Sequence, residues 1–199
     1  MKNILLIITI ILISNLFNSQ SVVIDINESW LGKPSGYYRK DMNNILNQFE
    51  GTYLYTNGNT SLKIILVKKI KQYNSSYYED LIIGEYQYIV NGVEKMNTLS
   101  NLNVVYNNQF AKHAVAGIST IENNTRLWKC PQCSPNEKRL SARIIDRSTD
   151  RYASMYIRKT IVNGQEVLQV KIGQIKADLE NMNPPEFSLP KGEFTMIKQ

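Results

Sequence analysis

Residues 52–71 read TYLYTNGNTSLKIILVKKIK, and the fold follows from how this stretch is read. Residues 52–56 alternate aromatic or apolar with polar side chains, and residues 61–71 return with Leu62, Ile64 and Leu66 on one face. A period of two puts successive side chains on opposite faces of a strand. Between the runs stands Asn57-Gly58, a pair that tolerates the positive φ of a tight hairpin turn. The stretch predicts a β-hairpin with one wet face.

The signal recurs along the chain. Asn91-Gly92 joins strands predicted at 81–90 and 93–99, and Asn163-Gly164 joins 151–162 to 165–173. Further strands are expected at 114–121, 139–145 and 193–198. The predicted inward sets are Ile82, Tyr86, Tyr88 and Val90, then Leu140, Ala142 and Ile144. They continue with Ala153, Met155 and Ile157, then Leu168, Val170 and Ile172, and finally Phe194 and Met196. One wet face per strand belongs to antiparallel sheets. Residues 134–137, Ser-Pro-Asn-Glu, also fit a helical capping box, but the alternation of 140–144 and the β neighbours favour a strand there. IVNGVE at 89–94 nearly repeats as IVNGQE at 161–166, which convergence on good turns explains.

Only one helix is expected, over 41–49. Met42, Ile45, Leu46 and Phe49 share a helical face, Asp41 suits the N-cap, and Gly51 ends the run. The fold class is therefore all-β. The expected architecture is an antiparallel up-and-down barrel, lipocalin-like, with one short N-terminal helix; a two-sheet β-sandwich is the alternative.

Residues 1–21 read as a secretory signal peptide: Lys2, then the apolar run 4–13, then small residues at Ser19 and Ser21. That run is far short of the about 20 apolar residues a membrane span needs, so no transmembrane segment is expected in the mature chain. Residues 22–40, broken by Gly32, Pro34 and Gly36, form an extended lead-in to a single domain at 41–199. The expected location is secreted or periplasmic. The chain has 199 residues, 23 basic and 17 acidic side chains, one His and two Cys. Cleavage after Ser21 removes only Lys2 from the charge count and leaves a net charge of +5. Nucleic acid is a poor partner for such a chain, because no basic block is interleaved with stacking aromatics.

Catalytic machinery is not legible. His113 has no nucleophile segment around it and reads as a strand-edge residue. Glu79, Asp80 and Glu85 are the only clustered carboxylates, and Glu79 and Asp80 read as solvated charges opening a strand. No metal, phosphate or cofactor motif is present, so the chain reads as a non-enzyme without cofactor. The unusual residue is tyrosine, at twelve copies. Tyr53, Tyr55, Tyr86 and Tyr88 are candidate lining for a small apolar or amphipathic ligand inside the barrel, in a cavity of roughly 300 Å³ or more. Ordinary β-propensity is the competing explanation. The alternative function is an envelope or surface protein-interaction module with a packed interior.

Cys130-Pro131-Gln132-Cys133 admits three readings. A zinc site lacks its other two ligands. A redox pair should open a helix. A structural disulfide suits a turn with Pro131 at its second position, which brings the outer Cα atoms within about 7 Å. We expect the oxidised Cys130–Cys133 bridge, with a redox-active pair as the alternative.

Two resemblances add to this reading. Residues 49–55, FEGTYLY, resemble the start of lipocalin-type barrels, with Tyr53 where those carry a Trp. Residues 49–69, 77–95, 130–140 (CPQCSPNEKRL) and 190–194 resemble a family of small secreted Bacteroidota proteins known only as a domain of unknown function. That resemblance implies a signal peptide followed by a β domain, and implies no activity, cofactor or catalytic residue.

Overall fold

Alternation commits most of the chain to strands, and the computed structural model, which describes residues 21–122, 125–177 and 185–199, arranges them as one closed ring. The leader read at 1–21 lies, apart from Ser21, outside the described residues. The strands are β1 (Val23–Asp25), β2 (Tyr38–Lys40), β3 (Gly51–Asn57), β4 (Thr60–Tyr73), β5 (Tyr78–Val90), β6 (Val93–Asn97), β7 (Val115–Ile121), β8 (Arg139–Asp146), β9 (Arg151–Val162), β10 (Gln165–Ala177) and β11 (Gly192–Lys198). Eight of them, β3, β4, β5, β7, β8, β9, β10 and β11, pair with their neighbours in that order, all antiparallel. Ile197 opposite Leu54 closes the ring. Closure removes the open edges that a flat sheet would expose.

The inward sets are those of the alternation. Leu62, Ile64, Leu66, Ile82, Tyr86, Leu140, Ile144, Met155, Ile157, Leu168, Val170 and Met196 form one buried cluster. Leu46 and Phe49, just before β3, join it from one end. Phe187 and Leu189, between β10 and β11, join it from the other.

Asp146 holds that second plug. Its carboxylate accepts from the Ser148 amide and hydroxyl at 3.0 and 2.6 Å, and from those of Ser188 at 2.5 and 2.8 Å. Burial pushes this carboxyl up, but the four hydrogen bonds outweigh it and hold it below the usual Asp range. A carboxyl depressed on folding contributes stability above its unfolded pKa and loses it as pH falls through the folded one. Asp146→Asn should therefore be less stable than the parent at pH 7, and the gap should narrow below about pH 4. Urea unfolding at both pH values checks this; an unchanged gap would refute the assignment.

Three expectations are corrected. No α-helix forms over 41–49. Asn44 sits at φ 53, so only Ile45–Phe49 wind, as a 3-10 helix, and Met42 is left exposed. Asp41 still caps the turn, accepting from the Ile45 and Leu46 amides at 2.8 and 2.9 Å. The first hairpin turns one residue later than expected: Asn57 pairs with Thr60, leaving Gly58-Asn59 as the loop. At Asn91-Gly92 and Asn163-Gly164 both residues take positive φ, as expected. The lead-in is not merely extended, because β1 and β2 pair in parallel and β2 joins β5.

The edge of β5 away from β4 is consequently shared by three strands. β2 takes Tyr78 and Glu79, β7 takes Ile82 to Gly84, and β6 takes Gln87 to Val90. Beyond β6 the chain forms a 3-10 helix, Leu99–Asn103, and one helical turn, α1 (Gln109–Lys112). The guanidiniums of Arg143, on β8, and Arg147 donate to the carbonyls of Phe110 and Lys112, tying α1 to the outside of the barrel.

Candidate functional site

The tyrosines lie where the alternation puts them. Tyr53 and Tyr86 are buried, Tyr88 nearly so, and the half-buried Tyr55 ring meets Phe194 at 4.7 Å. The Tyr53 hydroxyl donates to the Glu50 carbonyl at 3.1 Å. That of Tyr86 donates to the Ile145 carbonyl at 3.2 Å and accepts from the Arg147 amide at 3.1 Å. Burial pushes the Tyr53 phenol up to about 12 and raises that of Tyr86 further. Surrounding inward side chains, such as Leu62, Ile64, Ile82 and Met155, are 0–1% exposed. A void able to hold water would leave accessible surface on the groups facing it. The rings at Tyr53 and Tyr86 are packed in side chains.

The charged candidates are buried rather than solvated, and they fall into two groups. Asp80 accepts from the Tyr38 hydroxyl at 2.6 Å, the Asp41 amide at 3.0 Å and the Lys71 amide at 2.8 Å. Asp41 in turn pairs with Lys68 at 2.8 Å. These bonds tie the lead-in and the 3-10 helix to the β4–β5 hairpin. Glu79 lies beside them, its carboxyl raised by burial against hydrogen bonds from Asn74 and Tyr77 and the charge of Arg39.

Glu85 and His113 form the second group. His113 is not at a strand edge; it caps α1 and is fully buried. Its Nδ1 lies 2.7 Å from Glu85 Oε1 and its Nε2 lies 2.6 Å from Gln109 Oε1. Gln109 Nε2 donates to the Tyr106 carbonyl at 3.3 Å, and the Tyr106 ring stands edge-on to the imidazole at 5.1 Å. The Gln109–His113 spacing of four, behind an Asn108 cap, was the available sequence signal. No bond described joins this group to Glu79 or Asp80. Among the described residues, no cluster of three or more His, Cys, Asp or Glu could hold a metal.

Cys130 and Cys133 are bridged, with Cα atoms 5.3 Å apart and the Cys133 amide donating to the Cys130 carbonyl at 3.0 Å. Nearby, Trp128 lies over Arg139, whose guanidinium is 5.0 Å from the indole ring. Arg139 donates to the carbonyls of Trp128 and Glu122 at 2.7 and 2.9 Å. The buried Arg139 had no sequence signal, since an outward Arg on an alternating strand reads as solvated. Thiol titration of the unfolded, unreduced protein should find no free cysteine. Replacing both cysteines by serine should cost about 2 kcal/mol or less, because the closed loop is short.

One surface hollow combines aromatic and polar groups without a charged side chain among its described lining. It measures about 590 Å³ and is lined by Gln72, Tyr73, Ser75, Val105, Tyr106 and Asn107. One wall is the end of the β4–β5 hairpin; the other is the strap between Asn103 and α1. Asn108 Nδ2 donates to the Asn74 carbonyl at 3.3 Å and ties the walls together. No tyrosine expected to line the barrel reaches this hollow. The sequence reading missed it because its two walls lie about thirty residues apart and neither alternates.

No helix among the described residues is long and apolar enough to cross a membrane. No curated protein and no solved structure matches the chain. The family of unknown function DUF6705 matches residues 1–199, and the chain belongs to that family.

Proposed function

We propose that the protein is a secreted, non-catalytic interaction module whose closed barrel is a rigid scaffold and whose recognition takes place on its outer surface. The observation that carries this reading is the filled interior. Side chains from all eight ring strands are at or near zero exposure, and both ends are plugged. A ligand inside the barrel would have to displace that packing, at the cost of the buried apolar contacts. The Cys130–Cys133 bridge suits an oxidising compartment. Separation of the carboxylates into two hydrogen-bonded groups gives them structural work.

Native mass spectrometry of the purified protein, with dodecanoate added as an apolar probe, tests the reading. The expected spectrum contains the bare chain alone. A co-purifying lipid, or dodecanoate that shifts NMR signals of Leu62 or Met155 methyls, would overturn it in favour of an internal apolar ligand.

A further inference from the structure

We infer that the hollow between Tyr73 and Tyr106 binds a neutral saccharide, an assignment that rests on the outer-surface reading above. Its volume, about 590 Å³, lies within the range of small-ligand sites and gives room for a short oligosaccharide. The chemistry of the walls selects the class. Tyr73 and Tyr106 bring phenol rings, whose faces carry negative quadrupole charge and attract the weakly positive C–H face of a sugar ring. Tyr73 is 49% exposed, so its ring is available to a ligand.

Gln72, Ser75 and Asn107 line the same hollow with Val105, and their side chains both donate and accept, as sugar hydroxyls do. The Gln72 amide nitrogen is engaged with the Ile70 carbonyl at 2.7 Å, which leaves its oxygen as acceptor. Among the described residues, no Lys, Arg, Asp or Glu lines the hollow. The adjacent hollow on the far side of Tyr106, by contrast, is lined by Lys112 and Arg147, and the one at Trp128 by Lys129 and Glu193. An ionic ligand finds no counter-charge between Tyr73 and Tyr106. A wholly apolar one would strip water from Gln72, Ser75 and Asn107 without replacing their hydrogen bonds.

The walls are also held in place before a ligand arrives, which lowers the entropy lost on binding. The Tyr106 carbonyl is fixed by Gln109, which is fixed by His113 and, through it, Glu85. On the hairpin side, Asn74 Oδ1 accepts from the Ser76 and Tyr77 amides at 3.3 and 3.2 Å, and its carbonyl accepts from Asn108. The buried Glu85–His113–Gln109 chain thereby acquires a purpose as a positioning set for Tyr106.

The test is an NMR titration of the purified protein with cellotetraose, maltotetraose and triacetylchitotriose in turn. At least one should give saturable shifts in the side-chain amides of Gln72 and Asn107. Tyr73→Ala and Tyr106→Ala should each weaken that binding about tenfold or more. Asn107→Ala, which removes an exposed side chain and no described bond, should weaken it while leaving the rest of the spectrum unchanged. Tyr152→Ala, an exposed ring on β9, should not matter. Absence of saturable shifts with all three sugars, unchanged affinity in the Tyr73 and Asn107 variants, or tighter binding of a heparin tetrasaccharide would overturn the assignment. Dodecanoate in the same titration separates the two failures. Shifts inside the barrel would remove the outer-surface reading itself, whereas silence from dodecanoate and sugars together removes only the saccharide.

Discussion

Gly84→Val is expected to cost about 3 kcal/mol or more and to loosen the seam where β5 meets β7 in the barrel wall. Gly84 occupies the inward position between Ile82 and Tyr86, opposite Leu66 on β4 and Val115 on β7. A Cβ built there would lie 2.6 Å from Leu66 Cδ2, 2.8 Å from the Ile65 carbonyl oxygen and 3.3 Å from Val115 Cβ. The leucine methyl can swing away, but the carbonyl belongs to the backbone of the neighbouring strand and cannot. Strand β4 must therefore shift, and every inward side chain on it shifts too. Gly84→Ala should already be destabilising, by about 1–3 kcal/mol. Gly173, on β10, is the control: a Cβ there meets nothing within 4 Å, and its φ is not in the left-handed range. Gly173→Ala should fall within about 0.5 kcal/mol of the parent or stabilise slightly. Urea unfolding of the three variants decides the matter. A Gly84→Val protein as stable as the Gly173→Ala one would mean that the seam is not closely packed.

Gly84 also marks where sequence reasoning stopped short. Alternation on β4, β8, β9 and β10 was readable because each turns apolar side chains to the core and mostly polar ones outward, and the closed meander follows from pairing consecutive strands. The segment Leu81-Ile82-Ile83 breaks that rule, and all three residues are fully buried. A strand apolar on both faces has something covering its outside, so this run announced a second layer over β5. That layer is also why Glu79, Asp80, Glu85 and His113 are buried when their sequence neighbourhoods suggested solvent. Period two reports which face a residue shares with its neighbours; it does not report what lies over that face. The helix at 41–49 failed for a local reason, the left-handed Asn44, which an apolar spacing cannot reveal. The Cys-Pro-Gln-Cys turn succeeded for a local reason too, since four residues contain all the geometry a short bridge needs.

Glu85→Ala should be the most damaging change in that outer layer, at about 3 kcal/mol. Glu85 sits at the changeover on the β5 edge: Gly84 pairs with Val115 of β7, while Tyr86 exchanges bonds with Thr98 beyond β6. Its Oε1 receives His113 Nδ1 and, at 3.4 Å, the Ala114 amide, so one carboxylate fastens the point where the strap turns into β7. Truncation leaves buried polar groups on His113 and Ala114 without partners and opens a void beside them. Glu85→Gln retains an acceptor oxygen and should lose less. His113→Ala combined with Glu85→Ala should cost clearly less than the two single changes added, because each already removes the same interaction. The positioning role adds a readout that simple destabilisation would not give. With the imidazole no longer fixed edge-on to Tyr106, the ring-current shifts of the Tyr106 protons should collapse even at low temperature, where the barrel remains folded. If Glu85→Ala costs under about 1 kcal/mol, or if the Tyr106 shifts persist in it, then Glu85 neither anchors the strap nor holds that ring.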